Sequence, residues 1–225
     1  MSQGVTLIAI GGYGYLGWAI NMACSIKHHS PNVAIQLITS MKDDAVVFSQ
    51  LFDVITPVSI DEYTDSSSRL FPAKLKTNYY KHLAFDETIY LDVDGCMLKN
   101  ITPLFDQTTD FVSEVQGIYD ISMENAWTKM KWAKTNDVYA HFGLNSTHRL
   151  PALNSSFVFI RKGKIAKAIF ETAHDLLMEH EIPIEKQWIS WGRKNDSYKN
   201  AQPDELYFNV ALAKLGIIPH SIRPI

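Results

Sequence analysis

Apolar positions follow two alternating periods over the first 120 residues. Val5 to Ile10 is a short apolar run rich in β-branched residues, the pattern of a strand, and a glycine turn follows it. From about Tyr15 to His28, Leu16, Ala19, Ile20, Ala23 and Ile26 recur at helical spacing. Pro31-Asn32 breaks the chain before a second strand, Val33 to Thr39. A helix near Asp43 to Leu51 then leads to a third strand, Val54 to Val58. Leu70 to Ala84 reads as a further helix and Thr88 to Leu91 as a buried strand. Such βαβ alternation predicts an α/β fold: a mixed, mostly parallel, Rossmann-like sheet flanked by helices, with ligands at the carboxyl ends of its strands.

Past Asp120 the period loosens. Residues 120 to 150 carry Trp127, Trp132, Tyr139, His141 and His148 without a clean repeat, which suggests an elaborated loop or small helical insert. Order returns with a strand over Ser156 to Ile160, a helix from about Ile165 to Glu179 and another from Asp204 to Leu215. Between the last two, Trp188 and Trp191 lie in a loop or short helix. There is no internal repeat and no low-complexity linker, so the expectation is a single domain over 1–225, with a nucleotide-binding half of about 1–106 and an acceptor-side half of about 107–225.

Composition narrows the function. The chain is 46% hydrophobic and 20% charged, an ordinary globular balance. Its formal net charge of −3 argues against a nucleic-acid or anionic-membrane partner. Two cysteines, Cys24 and Cys96, are too few for a disulfide framework or a metal knuckle. No run reaches the roughly 18 apolar residues of a transmembrane segment, and the glycine-broken start lacks a signal-peptide pattern. The expectation is a soluble, cytoplasmic protein. Oligomeric state leaves no mark.

The segment richest in chemistry is Thr88-Ile89-Tyr90-Leu91-Asp92-Val93-Asp94-Gly95. On an extended chain, carboxylates at i and i+2 project to one side, where they repel each other unless a divalent cation lies between or beyond them. Hard oxygen ligands suit Mg²⁺ or Mn²⁺, which keep positions open for substrate phosphates. The plain alternative is that Asp and Gly simply turn the chain at a strand end.

The surroundings of that motif carry a resemblance. Lys74-Leu75 precedes it, and the stretch Tyr90-Leu-Asp-Val-Asp-Gly-Cys-Met-Leu-Lys-Asn100-Ile-Thr-Pro-Leu-Phe-Asp106 is similar to the central block of GT-A nucleotide-sugar glycosyltransferases, in the family that includes glycogenin and bacterial galactosyltransferases. Leu7 to Ile10 with Tyr13-Gly14-Tyr15-Leu16 resembles that family's first strand and turn. Leu153-Asn154-Ser155-Ser156-Phe157 resembles its F-N-[SA]-G strand, with Ser156 where Gly is usual. Pro203-Asp204-Glu205-Leu206 resembles its D-Q-x-x-L-N block, with Glu205 in place of Gln.

The resemblance implies a GT-A fold and transfer of a sugar from a nucleoside-diphosphate sugar, of the UDP type, with retention, to a glycan, protein or small-molecule acceptor. It implies donor contacts from Ile10, Tyr13, Tyr15, Lys74, Asp92, Val93 and Asp94. It implies a Mn²⁺ or Mg²⁺ held by Asp92 and Asp94, with His220 supplying the imidazole that the family draws from a C-terminal segment absent here. Asn154 and Asp204 would line the sugar and acceptor side as the catalytic pair. Asp204 following Pro203 is alternatively only a helix cap.

Three other readings compete. Gly12-Tyr-Gly14-Tyr-Leu-Gly17 fits the G-x-G-x-x-G dinucleotide fingerprint, but the second strand ends Ile38-Thr39-Ser40 without the acid that would bind ribose. Leu91-Asp92-Val93-Asp94-Gly95 also resembles the haloacid-dehalogenase phosphatase motif, in which Asp92 would attack phosphorus and Asp94 act as the acid. The third is a non-catalytic module that holds a sugar nucleotide or glycan.

Overall fold

The computed structural model of the chain describes residues 1–66, 68, 70–122, 135–179 and 203–221. In chain order they form β1 (Gln3–Ala9), α1 (Tyr13–His29), β2 (Ala34–Thr39), α2 (Lys42–Val46), β3 (Val54–Pro57), α3 (Pro72–Lys76), β4 (Glu87–Leu91), β5 (Phe111–Tyr119), α4 (Thr135–His141), β6 (Leu150–Arg161), α5 (Lys164–Glu179), α6 (Asp204–Lys214) and β7 (His220–Ser221). One sheet takes all seven strands in the order β3-β2-β1-β4-β6-β5-β7. The pairs β3–β2, β2–β1, β1–β4 and β5–β7 are parallel, while β4–β6 and β6–β5 are antiparallel. This is the mixed, mostly parallel α/β sheet expected.

Each face of the sheet has its own core. On one side Val5, Leu7, Ile35, Leu37 and Ile89 pack against Leu16, Ala19, Ala23 and Ile26 of α1. On the other, Ile8, Ile38, Tyr90, Val158 and Ile160 meet Phe170 and Ala173 of α5 and Leu206, Phe208 and Val210 of α6. Burial on both faces explains why β1 is mostly apolar from Val5 onward and why even Thr6, Glu87 and Thr88 of β1 and β4 are buried. Among the described residues, no helix is long and apolar enough to cross a membrane.

Two expectations are corrected here. Leu70 to Ala84 is not one helix: α3 stops at Lys76, and a separate 3-10 turn covers Tyr79–His82. The Thr77 hydroxyl donates to the Ala73 carbonyl at 2.9 Å, and the Asn78 N–H reaches back only to Leu75, at 2.9 Å. Thr and Asn compete with helical bonding in this way, tightening the last turn and ending it. Likewise β6 starts at Leu150, six residues before the expected strand, because it is a long strand paired on both edges and bulged around Asn154 to Phe157. Neither β5 nor β7 was expected. Trp127, Trp132, Trp188 and Trp191 lie outside the described residues.

Candidate active site

Strand β4 lies at the centre of the sheet and delivers the acidic motif to its rim. Strand pairing persists one step beyond the last β4 residue, since the Asp92 N–H donates to the Ser156 carbonyl at 2.9 Å. The chain then turns at Val93 and Asp94. The i, i+2 geometry of an extended chain therefore does not extend to Asp94. Asp92 is partly buried, Val93 is buried, and Asp94 is exposed.

Asp92 is also not a free carboxylate. Its Oδ1 accepts a hydrogen bond from the Tyr90 hydroxyl at 2.5 Å and lies 2.8 Å from the ammonium of Lys76. Lys76 is the last residue of α3, and it also lies 3.8 Å from Oδ2 of Asp204, the first residue of α6. One ammonium thus joins a strand end to a helix start. Burial alone would lower its pKa, but the charges of Asp204 and Asp92 outweigh that and raise it, so Lys76 stays charged.

Asp204 does not cap its helix; Pro203 holds the cap position and no side-chain cap bond forms. Asp204 is buried, and among the described residues its Oδ2 makes no hydrogen bond. The Tyr79 hydroxyl is another buried polar atom that makes no hydrogen bond among the described residues. Beside Asp204, Glu205 is raised from its ordinary 4.5 to about 7, first by burial and then by the charge of Asp204. Burial likewise holds the phenols of Tyr79 and Tyr90 protonated far above neutral pH. The cluster is therefore three carboxyls around one ammonium, walled by two tyrosines.

Asn154 borders the same rim. Its Nδ2 donates to Glu114 Oε2 at 2.9 Å, while its Oδ1 accepts from the Ser156 N–H at 3.0 Å and hydroxyl at 2.7 Å. Asn154 thereby shapes the bulge whose Ser156 carbonyl holds Asp92. At the carboxyl end of β1, Gly11 and Gly12 take φ of 85° and 144°, which only glycine adopts readily. They turn the chain so that Tyr13 is 72% and Tyr15 39% exposed, whereas Ile10 is buried. A Cβ on Gly14 or Gly17 would meet nothing within 4 Å. The close helix–strand packing that gives the dinucleotide fingerprint its third glycine is thus missing.

Lys74 is turned elsewhere. Its ammonium donates to the carbonyls of Asp61 and Thr64, at 3.2 Å for Thr64, and so pins the 3-10 turn Ile60–Glu62. The lysine at the carboxylates is Lys76, which sequence reasoning missed. The signal was the Lys-Leu-Lys spacing itself: residues two apart on a helix lie about 200° apart, so only one of the pair can face β4.

His220 stands apart from the acidic rim. It is exposed on β7 and pairs with Val112 of β5, itself opposite Phe159 of β6. Three strand spacings, about 14 Å, separate β7 from β4. A divalent ion needs ligands at roughly 2.0–2.2 Å. Asp92 Oδ1 is held by Tyr90 and Lys76, Asp94 lies on the turn and His220 across the sheet, so the structure does not bring the three expected ligands together. Among the described residues, no group of three His, Cys, Asp or Glu side chains is arranged to hold a metal. The same engagement of Asp92 works against its use as a phosphatase nucleophile.

No protein-family profile matches the sequence, and no curated protein is similar to it at the level of sequence. Solved structures are similar in fold. The galactosyltransferase LgtC, crystallised with donor and acceptor sugar analogs, aligns over 96% of this chain and 72% of its own with a TM-score of 0.55 and 14% identity. The glycosyltransferase GlyE of Streptococcus pneumoniae TIGR4 aligns over 98% of this chain with a TM-score of 0.54 and 14% identity, and this chain spans only 46% of it. The bifunctional WbbM structure aligns over 79% of this chain and 35% of its own, with a TM-score of 0.50. The fold of this chain is that of GT-A glycosyltransferases.

Proposed function

We propose that the chain is a glycosyltransferase that moves a sugar from a nucleoside-diphosphate sugar, of the UDP type, to an acceptor hydroxyl, with retention. The observation that carries this reading is the meeting of Asp92 and Asp204. A strand end and a helix start, 112 residues apart in sequence, converge on one ammonium at the carboxyl rim of the parallel strands, where ligands of open α/β sheets bind.

In this reaction the bond from the sugar C1 to the diphosphate oxygen breaks, and its electron pair leaves with the nucleoside diphosphate. The acceptor oxygen bonds to C1 and its proton is released to solvent. The protein's part is to hold the donor and to face fixed charge toward the atoms whose charge changes. Asp204 and Asn154 supply acceptors and a donor for sugar hydroxyls. Exposed Tyr13 and Tyr15, beside the glycine turn, offer ring faces to the base. The acceptor is a glycan, a protein or a small molecule. Two unbonded thiols, Cys24 and Cys96, suit the reducing cytoplasm.

The test is release of nucleoside diphosphate when the purified chain is given a panel of UDP- and GDP-sugars with mixed acceptors. Turnover that Asp204→Asn lowers at least a hundredfold supports the reading. Tight donor binding with no release, in wild type and in every acceptor mixture, would replace it with the non-catalytic module.

A further inference from the structure

The acidic rim raises a question that the transferase reading leaves open: what positive charge faces the departing diphosphate. We propose that the Lys76 ammonium is the site's own cation, standing between Asp92 and Asp204 where a divalent ion is expected, and that this chain binds the diphosphate of its donor without metal. The inference rests on the sugar-nucleotide reading above and concerns the same site.

Four observations carry it. The ammonium contacts carboxylates from two different elements, at 2.8 Å to Asp92 and 3.8 Å to Asp204, a bridging position of the kind a metal would take. It is not a snorkelling surface lysine, because its side chain is only 22% exposed and Tyr90 places a ring 5.9 Å beneath it. Its partner Asp92 is fixed by two further bonds, the Tyr90 hydroxyl on Oδ1 and the Ser156 carbonyl on the backbone N–H. Last, among the described residues no group of three His, Cys, Asp or Glu side chains is arranged to hold a metal, and His220 lies on β7, three strand positions from β4.

The donor count leaves room for a substrate. An ammonium has three N–H donors. Asp92 takes one, and Asp204 at 3.8 Å is an ion pair beyond hydrogen-bond reach. The side chain of Lys76 is 22% exposed, and the proposal assigns its remaining donors to the diphosphate. A compact, flexible point charge suits a phosphate oxygen. As the C1–O bond breaks and its electrons pass to the diphosphate oxygen, the ammonium stabilises the developing charge and changes neither its oxidation state nor its covalent bonds. Asp92 and Asp204 act as positioning residues by holding it in place.

Two measurements on the full chain decide it. In the first, thermal unfolding is followed with uridine diphosphate, and separately with guanosine diphosphate, in EDTA or in 1 mM Mn²⁺. One of the nucleotides is expected to raise the midpoint equally in both, to lose at least tenfold in affinity in Lys76→Met, and to keep most of it in Lys76→Arg. A midpoint shift that needs Mn²⁺ overturns the proposal and leaves the transferase standing.

In the second, free Mn²⁺ is titrated by electron paramagnetic resonance with no nucleotide present. Wild type is expected to bind Mn²⁺ at least tenfold more weakly than Lys76→Met, in which Asp92 and Asp204 are released, and Asp92→Asn added to Lys76→Met is expected to erase that gain. Wild type binding Mn²⁺ as tightly as Lys76→Met, or tightly where that variant fails to fold, overturns the proposal. If neither nucleotide binds in either condition, the sugar-nucleotide reading fails, while the Mn²⁺ titration still decides what Lys76 replaces.

Discussion

The Tyr90 hydroxyl donates to Oδ1 of Asp92 from two residues back on the same strand, at 2.5 Å. Side chains at i and i+2 share a face of a strand, so a residue of the core reaches up to orient the first acid of the motif. Asp94, two residues further on, receives no such help because the chain has turned by then. The two acids of one short motif therefore stand in different environments, and they should respond differently to mutation.

Asp92→Ala is expected to destabilise the fold by about 2–3 kcal/mol, because it removes the nearest partner of the half-buried Lys76 ammonium. Asp94→Ala changes an exposed turn and is expected to stay within about 0.5 kcal/mol of wild type. Urea unfolding midpoints at constant slope check both. Equal effects would mean that the acids share one role.

Tyr90→Phe keeps the ring and deletes the donor. Loss of a hydrogen bond to a charged group should cost about 1.5 kcal/mol in stability. A larger fractional loss is expected in kcat than in KM, since Asp92 would remain present but less well oriented. Steady-state kinetics on the best donor reads that split.

Glu205 sets a pH dependence. With a folded-state value of about 7 against an ordinary 4.5, the native protein keeps a proton that the unfolded chain has already released across that window. Stability from this group is therefore whole below about pH 4.5 and is lost as pH rises through 7. Glu205→Gln should be the more stable protein at pH 8 by about 3 kcal/mol and indistinguishable at pH 4. Denaturant midpoints at the two pH values decide; a gain of equal size at both would place the effect outside titration.

Gly4→Ala probes the sheet itself. A Cβ at Gly4 would sit 2.3 Å from the ring of buried Phe85. Overpacking of this kind costs about 1–3 kcal/mol, and Phe85→Leu in the same chain should recover part of it. A wild-type midpoint for Gly4→Ala would show that the ring moves aside freely.

The parts of the fold legible in the sequence were those whose pattern has one physical meaning. The mostly apolar runs Val5–Ile10 and Ile89–Leu91 are satisfied by burial on both faces, and the stripe of α1 by burial on one. Strand β5, Phe111–Tyr119, was illegible because its exposure follows no single alternation: it is buried at its start, half-solvated through Gln116 and Gly117, and broken by shifts of register against β6. In the site, Asp92, Asn154 and Asp204 announced themselves through motif and context. Lys76 did not, since a lysine in a short amphipathic stretch is usually a solvated one. Its burial depends on α3 ending at Lys76 and on where α6, more than a hundred residues later, begins.

The order of strands has a practical consequence. β6, encoded late, zips onto β4, encoded early, through Leu91–Phe157 to Glu87–Arg161. If the gene were cut near codon 107, the upstream product would expose the whole flank of β4 as a row of unbonded amide groups, the usual template for aggregation. Soluble pieces should therefore emerge only when both are made in the same cell, with the missing strand at hand to close the gap.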